Sequence, residues 1–461
     1  MAAPHTGAGK TTVAIGLIAA LRRRGLAVQA FKVGPDYIDP GFLSRAAGRP
    51  ARNLDGWLLD AVTVRWLFDR HAASASVAVV EGMMGLFDGL TGANDAGSTA
   101  HVARILDLPV VVVLDASRAA RSIAAVARGC QVFDRRTRIA GWILSRVAGD
   151  THRIWVTEAV ERATRRPVLG ALVEDPRLML PERHLGLVQA HEAGSLGRLF
   201  ARLAHEVEQR IDLDRLVRLT HGRPGDARAA APRRLERLLA AARGRTRAEG
   251  AGRSVVAWAR DDAFTFHYAD NIELLTALGA RVVPWSPLAD RRLPDGTAAL
   301  VFGGGYPELF APALADNHRA LQAVRMFATG GRPVYAECGG LMYLARGIRA
   351  ANADGGRRLV GVVPAWTRMH RRPRVAYVRA QMLRDTILAP RGTVVRGHEF
   401  HTSSLVPAAR PGGAAYRVAD ASDLPTRLDG YCRAGVLASY VHVNFLSDPR
   451  MAARFVAQIR R

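Results

Sequence analysis

Two strand-and-helix rhythms, separated by a stretch rich in arginine, alanine and glycine, limit this chain to two α/β bodies joined in series. Up to about Phe200, apolar runs with β-branched residues alternate with amphipathic stretches, as in a parallel sheet covered by helices. Candidate strands are Ala27–Val33, Val77–Val80, Val110–Asp115 and Ile139–Leu144. Residues 211–253 carry the pattern of a linker with one helical piece, Arg233–Ala242. A second rhythm begins at Ser254 with "SVVAWA", so the expected division is 1–210, 211–253 and 254–461. No repeat of solenoid period is visible.

The first body carries a phosphate cradle. "TGAGKTT", Thr6 to Thr12, opens a helical run that ends at Gly25. Glycines such as Gly7 and Gly9 let backbone N–H groups wrap phosphate oxygens, Lys10 can reach the outer phosphates, and Thr11 can ligand Mg²⁺. The strict motif is broken at Pro4, which stands where its first glycine belongs. Composition strengthens the reading: of 65 basic residues only Lys10 and Lys32 are lysine, and a chain that otherwise uses arginine keeps an ammonium where a planar guanidinium does not fit. Such a loop normally follows a buried strand, yet only Met1, Ala2 and Ala3 precede Pro4. The alternatives are a start lying upstream, which is preferred, or a sheet lacking its central strand.

Carboxylates gather beyond the next strand ends. "VGPDYIDP" places Asp36 and Asp39 in one loop, and "EGMMGLFDG" places Glu81 and Asp88 in another, where ligands of parallel sheets bind. Asp55 in "RNLDGW" is a weaker candidate.

In the second body, "RPVYAECGGLMYL" has the layout of a strand, a sharp turn and a helix, exposing Cys338 as a nucleophile. Gly303, Gly304 and Gly305 follow a strand and are expected to offer N–H groups to an oxyanion. His442 in "VLASYVHVNF" is the expected general base, with the cluster "GHEFH", Gly397 to His401, as a rival assigned to the substrate cleft. That cluster lacks the spacing of a zinc helix. Cys130 and Cys432 have no comparable framing, and three scattered cysteines make neither a disulfide framework nor a metal knuckle. The formal net charge of +24 raises nucleic-acid binding, but arginine spread over both halves is not a designed patch. No secretory leader or membrane span is indicated, so a cytoplasmic location is expected.

Together "TGAGKTT", "FKVGPDYIDPGFL", "RNLDGWL", "VVEGMMGLFDG", "STAHVARILDLPVVVVLDASRAARSIAA", "PERHLGLVQAHE", "FGGGYPELFA", "YAECGGLMYL" and "RGHEFHTS" resemble the cobyrinic and hydrogenobyrinic acid a,c-diamide synthases of cobalamin biosynthesis. The resemblance implies a P-loop NTPase domain of dethiobiotin-synthetase type and a class I glutamine amidotransferase-like domain, both α/β. It implies ATP-dependent, glutamine-hydrolysing amidation of the a and c carboxylates through acyl phosphates. By the same resemblance Gly7, Gly9, Lys10, Thr11 and Thr12 hold ATP and Mg²⁺, with Thr11, Glu81 and Asp36 as metal ligands. Asp36, Asp39, Glu81 and Asp88 then serve metal binding and phosphorylation, and Tyr37 and Ile38 face the corrin. Cys338 is the glutaminase nucleophile and His442 its base. The implied partners are a corrinoid and L-glutamine, without nucleic acid or membrane, and the oligomeric state is left open with a homodimer among the alternatives. The "GPDYIDP" block, absent from related cobyric acid synthases, favours the a,c enzyme. Ser145 stands where the family usually has asparagine at the nucleotide base. Asn444 stands where other glutamine amidotransferases carry an orienting glutamate, so a two-residue Cys–His machine is expected. A sheltered ammonia passage from Cys338 to the P-loop is expected as well. Whether the tetrapyrrole is cobalt-loaded, cobalt-free or nickel-loaded stays open. The reading from another class is a partitioning-type ATPase that binds DNA and performs no amide chemistry.

Overall fold

The computed structural model describes residues 1–180, 193–220, 230–249, 254–351, 355–410, 412–421 and 426–459. The "PERHLGLVQAHE" block and parts of the expected linker lie outside the described residues. The chain divides into two compact units, Met1–Ala231 and Pro232–Arg461.

In the first unit, parallel strands β1 (Val28–Val33), β2 (Arg52–Leu54) and β3 (Val77–Glu81) run in the order β2-β1-β3. Strands β4 (Val110–Asp115), β5 (Ile139–Val147) and β6 (Val168–Val173) form a second parallel triplet in sequence order. Their side chains are largely buried, as expected of a sheet covered on both faces. Met1, Ala2 and Ala3 lie between the triplets. The Met1 carbonyl accepts from Gly82 N–H at 2.8 Å on the β3 side, while Ala2 donates to Val111 O at 2.9 Å and accepts from Val113 N–H at 2.7 Å on the β4 side. Ala2 and Ala3 are fully buried. Met1 to Ala3 form no strand of their own, as expected of so short a run, and join the β4 side only through the isolated bridge Ala2–Val112.

The stretch expected to be linker from residue 211 begins instead as part of this unit. Ile211, Leu213 and Leu216 are buried in its core, and helix Leu213–Thr220 continues from them. Helix Arg233–Glu249 is longer than the expected helical piece and belongs to the second unit.

The second unit contains two sheets. Strands β7 (Val255–Ala259), β8 (Arg281–Trp285), β9 (Thr297–Phe302) and β10 (Val334–Glu337) belong to the first sheet. Strands β11 (Gly347–Arg349), β12 (Gly356–Arg358), β13 (Trp366–Met382), β14 (Val394–Val406), β15 (Tyr416–Asp420) and β16 (Arg427–Asp429) belong to the second. The chain then returns through β17 (Tyr431–Arg433) and β18 (Val436–Ser439) to the first sheet before β19 (Val441–His442) joins the second. The first sheet has the order β17-β18-β10-β9-β7-β8, parallel except for β17. The second is built on the β13/β14 hairpin, with β19 paired to β14 so that His442 stands opposite His398. Because only Tyr440 separates β18 from β19, the chain steps between sheets at the level of the β10 C-terminus, where Cys338 sits. Among the described residues, no helix is long and apolar enough to cross a membrane.

Candidate active sites

Helix Lys10–Arg23 starts from Gly9, whose φ of 90° is unfavourable for residues with a side chain, and no side chain caps its first turn. The N-terminal end of such a helix favours an anion. Two side chains at the end of β5 hold the loop from behind. Ser145 Oγ donates to Ala8 O at 2.8 Å, and Arg146, paired with Asp115, donates to Gly7 O at 2.9 Å. The Asp115 carboxyl is held down to about 2, burial opposing and the Arg146 hydrogen bonds outweighing it. Ser145 thus touches the loop backbone, a role not anticipated from the sequence. Gly7, Gly9, Lys10, Thr11 and Thr12 occupy one turn of chain, and Lys10 Nζ folds back to His5 O at 3.4 Å.

Thr11 Oγ1 donates to Glu81 Oε1 at 2.5 Å and lies 3.4 Å from Asp39 Oδ2. The group that gathers these acids is Lys32, on β1 and 3% exposed. Its ammonium lies 2.6 Å from Asp39, 3.2 Å from Glu81 and 3.8 Å from Asp36, and donates to Gly82 O at 3.1 Å. Burial opposes the Lys32 charge, but Glu81 and Asp39 outweigh it and raise the ammonium above its usual range. Burial raises the Glu81 carboxyl, with Lys32 opposing, and burial with Asp39 pushes Asp36 up to about 7. Sequence reasoning missed Lys32, although it is the chain's only lysine besides Lys10.

Asp36, Asp39 and Glu81 are thus brought together. Asp36 Oδ1 also accepts from the N–H groups of Ile38 and Asp39, at 2.8 and 3.1 Å. Asp88 is bound into its own loop, accepting from Gly85 N–H at 2.8 Å. Tyr37 is half-buried, and Ile38 packs partly against the hydrophobic core. Asp55 Oδ1 accepts from Trp57 and Leu58 N–H, both at 2.8 Å, and so shapes a turn. The donor set of Thr11 and Glu81 fits a hard cation: both offer oxygen, and Glu81 Oε2 is buried with no hydrogen-bond partner among the described residues.

In the second unit, Cys338 follows β10 with φ 47° and ψ −100°, the strained turn expected of an elbow, but its side chain is buried and not exposed as expected. Its N–H donates to Ser439 O at 2.7 Å, and its thiol reaches Phe400 O at 3.5 Å. Burial raises the thiol pKa most, followed by the carboxylate of Glu308, while the Gly339 N–H lowers it. Directly before the thiol, Glu337 binds the histidine. His442 Nδ1 donates to Glu337 Oε2 at 3.2 Å, Val443 N–H donates to Oε1 at 2.9 Å, and Tyr335 OH donates to Oε1 at 2.5 Å. The expectation of a two-residue machine is corrected: an orienting carboxylate is present, supplied from the elbow itself. Asn444, at the position considered for it, instead caps the short turn Phe445–Ser447 by accepting from Leu446 N–H at 2.9 Å.

The glycine run differs from its expected role. Gly304 N–H donates to Phe266 O at 3.0 Å, so it is not an oxyanion donor. A Cβ on Gly304 would stand 2.5 Å from His442 Cε1, and one on Gly305, whose φ is 154°, would stand 2.1 Å from Ala263 O. Gly303 O accepts from Gly340 N–H at 3.1 Å. The run therefore serves close packing between the elbow, Phe266 and the histidine. Gly305 N lies 2.9 Å from where a Cβ on Gly339 would stand.

"GHEFH" lies on β14 beside the thiol. His398 is pushed down to about 3 by burial and His401 to about 4 by burial. His401 donates from Nδ1 to Ser403 O at 2.7 Å and stacks on Tyr440. Glu399 is held by Arg374 at 2.7 Å and by Arg427. These bonds tie the cluster into the sheet and give it no metal-site geometry.

Residues 1–188 match the CobQ/CobB/MinD/ParA nucleotide binding domain, and residues 255–450 match the CobB/CobQ-like glutamine amidotransferase domain. The chain is 42% identical to a cobyrinate a,c-diamide synthase of Syntrophotalea carbinolica, over 99% of this chain and 97% of that protein. It is 41% identical to a hydrogenobyrinate a,c-diamide synthase of Streptomyces coelicolor, over 100% of this chain and 97% of that protein. Similarity of this extent over both units, with a nucleotide loop in one and an elbow thiol in the other, shows that the chain belongs to the cobyrinate/hydrogenobyrinate a,c-diamide synthase family.

Proposed function

We propose that this chain amidates the a and c side-chain carboxylates of a corrin ring, cobalt-loaded or cobalt-free, with ammonia released from glutamine. The observation that carries the reading is the elbow turn at Cys338, whose preceding residue, Glu337, bonds to His442 Nδ1. His442 takes the thiol proton, the sulfur attacks the glutamine amide carbon, and the imidazolium returns the proton to the departing nitrogen. Water then cleaves the thioester, leaving glutamate. The N–H groups of Gly305 and Gly339, next to the elbow, are the proposed donors to the developing oxyanion.

Ammonia cannot displace oxide from a carboxylate, so the acid must first become an acyl phosphate. Gly7, Gly9, Lys10, Thr11 and Thr12 hold the triphosphate, and Lys10 follows charge onto the transferring group. Thr11 and Glu81 would hold Mg²⁺, with Asp36 at the edge of that site, and the ion would neutralise phosphate charge. Lys32 balances the acids around it, and Asp39 and Asp88 lie on the loops through which the substrate carboxylate would approach. Tyr37 and Ile38 are the proposed corrin contacts.

The test separates the halves. Cys338→Ala is expected to abolish glutamine-driven amidation and keep amidation driven by high ammonium salt. Lys10→Ala is expected to abolish both. Amidation surviving in Lys10→Ala, or ammonium-driven synthesis lost in a folded Cys338→Ala, would overturn the reading.

A further inference from the structure

We propose that Glu308 is the subsite for the α-ammonium group of glutamine, an inference that rests on the glutaminase reading of Cys338. Glu308 sits in a tight turn in which Leu309 N–H donates to Tyr306 O at 3.1 Å and Phe310 N–H to Pro307 O at 3.2 Å. The turn abuts the elbow: the Pro307 ring lies 3.0 Å from where a Cβ on Gly339 would stand. Glu308 Oε2 is enclosed and has no hydrogen-bond partner among the described residues. Burial pushes the carboxyl up to about 7, opposed only by its own backbone N–H. Its charge is felt by both Cys338 and Tyr440, which places it on the thiol side of the pocket.

An enclosed carboxylate without a cation is costly, and beside a nucleophilic thiol it is also obstructive, because it disfavours the thiolate. His442 already has its carboxylate in Glu337, so Glu308 is not needed to orient the base. A cation arriving with the substrate would let this half-buried group carry its charge. Glutamine brings one, an ammonium separated from its reacting amide by a short methylene spacer. A charge-assisted bond from that ammonium to Glu308 would satisfy the buried acid and relieve its opposition to the thiolate in the same event. Amides lacking the ammonium would leave Glu308 unpaired and be rejected, as sites built around a buried polar group reject analogues that lack its partner.

The experiment compares hydrolysis of glutamine with that of glutaramate, which keeps the primary amide and carboxylate but has no α-amine. The full chain, Glu308→Gln and Glu308→Asp are assayed with ATP and corrinoid present, and ammonium-driven amidation serves as the folding control. The expected result is that the wild-type chain favours glutamine by roughly 10²-fold in kcat/KM. Glu308→Gln should raise the glutamine KM by at least about 10-fold, with a smaller change in kcat, and bring the two substrates within a few-fold of each other. Glu308→Asp, which keeps the charge, should recover part of the preference. The inference is overturned if the wild-type chain hydrolyses glutaramate as well as glutamine, or if Glu308→Gln keeps the wild-type preference. Glutamine hydrolysis surviving in Cys338→Ala would instead bring down the glutaminase reading beneath it.

Discussion

Glu337 Oε2 lies 3.2 Å from His442 Nδ1, although Glu337 is the residue immediately before the nucleophile and lies far from the histidine in sequence. One strand end thus carries both the elbow thiol and the carboxylate bonded to His442, so the two are positioned by the same backbone.

Glu337→Gln keeps the shape of the side chain but loses the charge that favours the imidazolium and the Nδ1–H tautomer. Glutamine-driven turnover should fall by roughly 10²-fold, within the range of general acid–base contributions, while ammonium-driven amidation persists. Glu337→Ala should also destabilise the second unit by about 1–3 kcal/mol for each buried donor left unpaired, Tyr335 OH and Val443 N–H. Steady-state kinetics with the two nitrogen donors and denaturant unfolding check this.

Lys32→Ala removes the cation held at 2.6 Å from Asp39 and 3.2 Å from Glu81. The uncompensated acids should cost the first unit about 3–5 kcal/mol, and ATP-dependent amidation should be lost with either nitrogen donor, while glutamine hydrolysis continues. Lys32→Arg should not rescue it, because a planar guanidinium cannot replace an ammonium enclosed by oxygens. ADP release and glutamate release, measured separately, distinguish these outcomes.

Gly304→Ala places a Cβ 2.5 Å from His442 Cε1. The backbone there tolerates alanine, so the chain should fold with the imidazole displaced and glutaminase activity reduced by roughly 10²-fold. Gly305→Ala meets Ala263 O at 2.1 Å and should instead lower the melting temperature of the second unit.

The Glu308 carboxyl, raised from 4.5 to about 7, predicts a pH-dependent stability. Between those values the native chain holds a proton that the unfolded chain has lost, so the favourable contribution is complete below pH 4.5 and lost as pH rises through about 7. Glu308→Gln should therefore be more stable than wild type above that window by about 3 kcal/mol, with the gap closing toward the acidic end. Melting curves across the range test the sign.

Local patterns made much of both sites legible. "TGAGKTT" and "YAECGG" announce a phosphate turn and an elbow because glycine spacing dictates backbone shape whatever surrounds it. Glu337 was hidden because its role depends on β10 and β19 meeting, and nothing local to "YAEC" tells which way its side chain turns. Lys32 did carry a signal: a lysine kept among arginines suggests a cage too small for guanidinium, the argument already made for Lys10. Ile211, Leu213 and Leu216 were absorbed into a linker because the surrounding composition is arginine-rich, yet Leu213 and Leu216, three apart, mark a buried helical edge. The bonds that Met1 and Ala2 make to the two strand triplets of the first unit were not legible because they depend on which residues the fold brings alongside.

The two side chains behind the phosphate turn set its polarity in advance. Since Ser145 and Arg146 already occupy the carbonyl oxygens of Ala8 and Gly7, the turn offers an arriving nucleotide mainly its amide hydrogens. A negatively charged tail should find the loop already in its receiving shape, and little of the binding free energy need go into reorganising it.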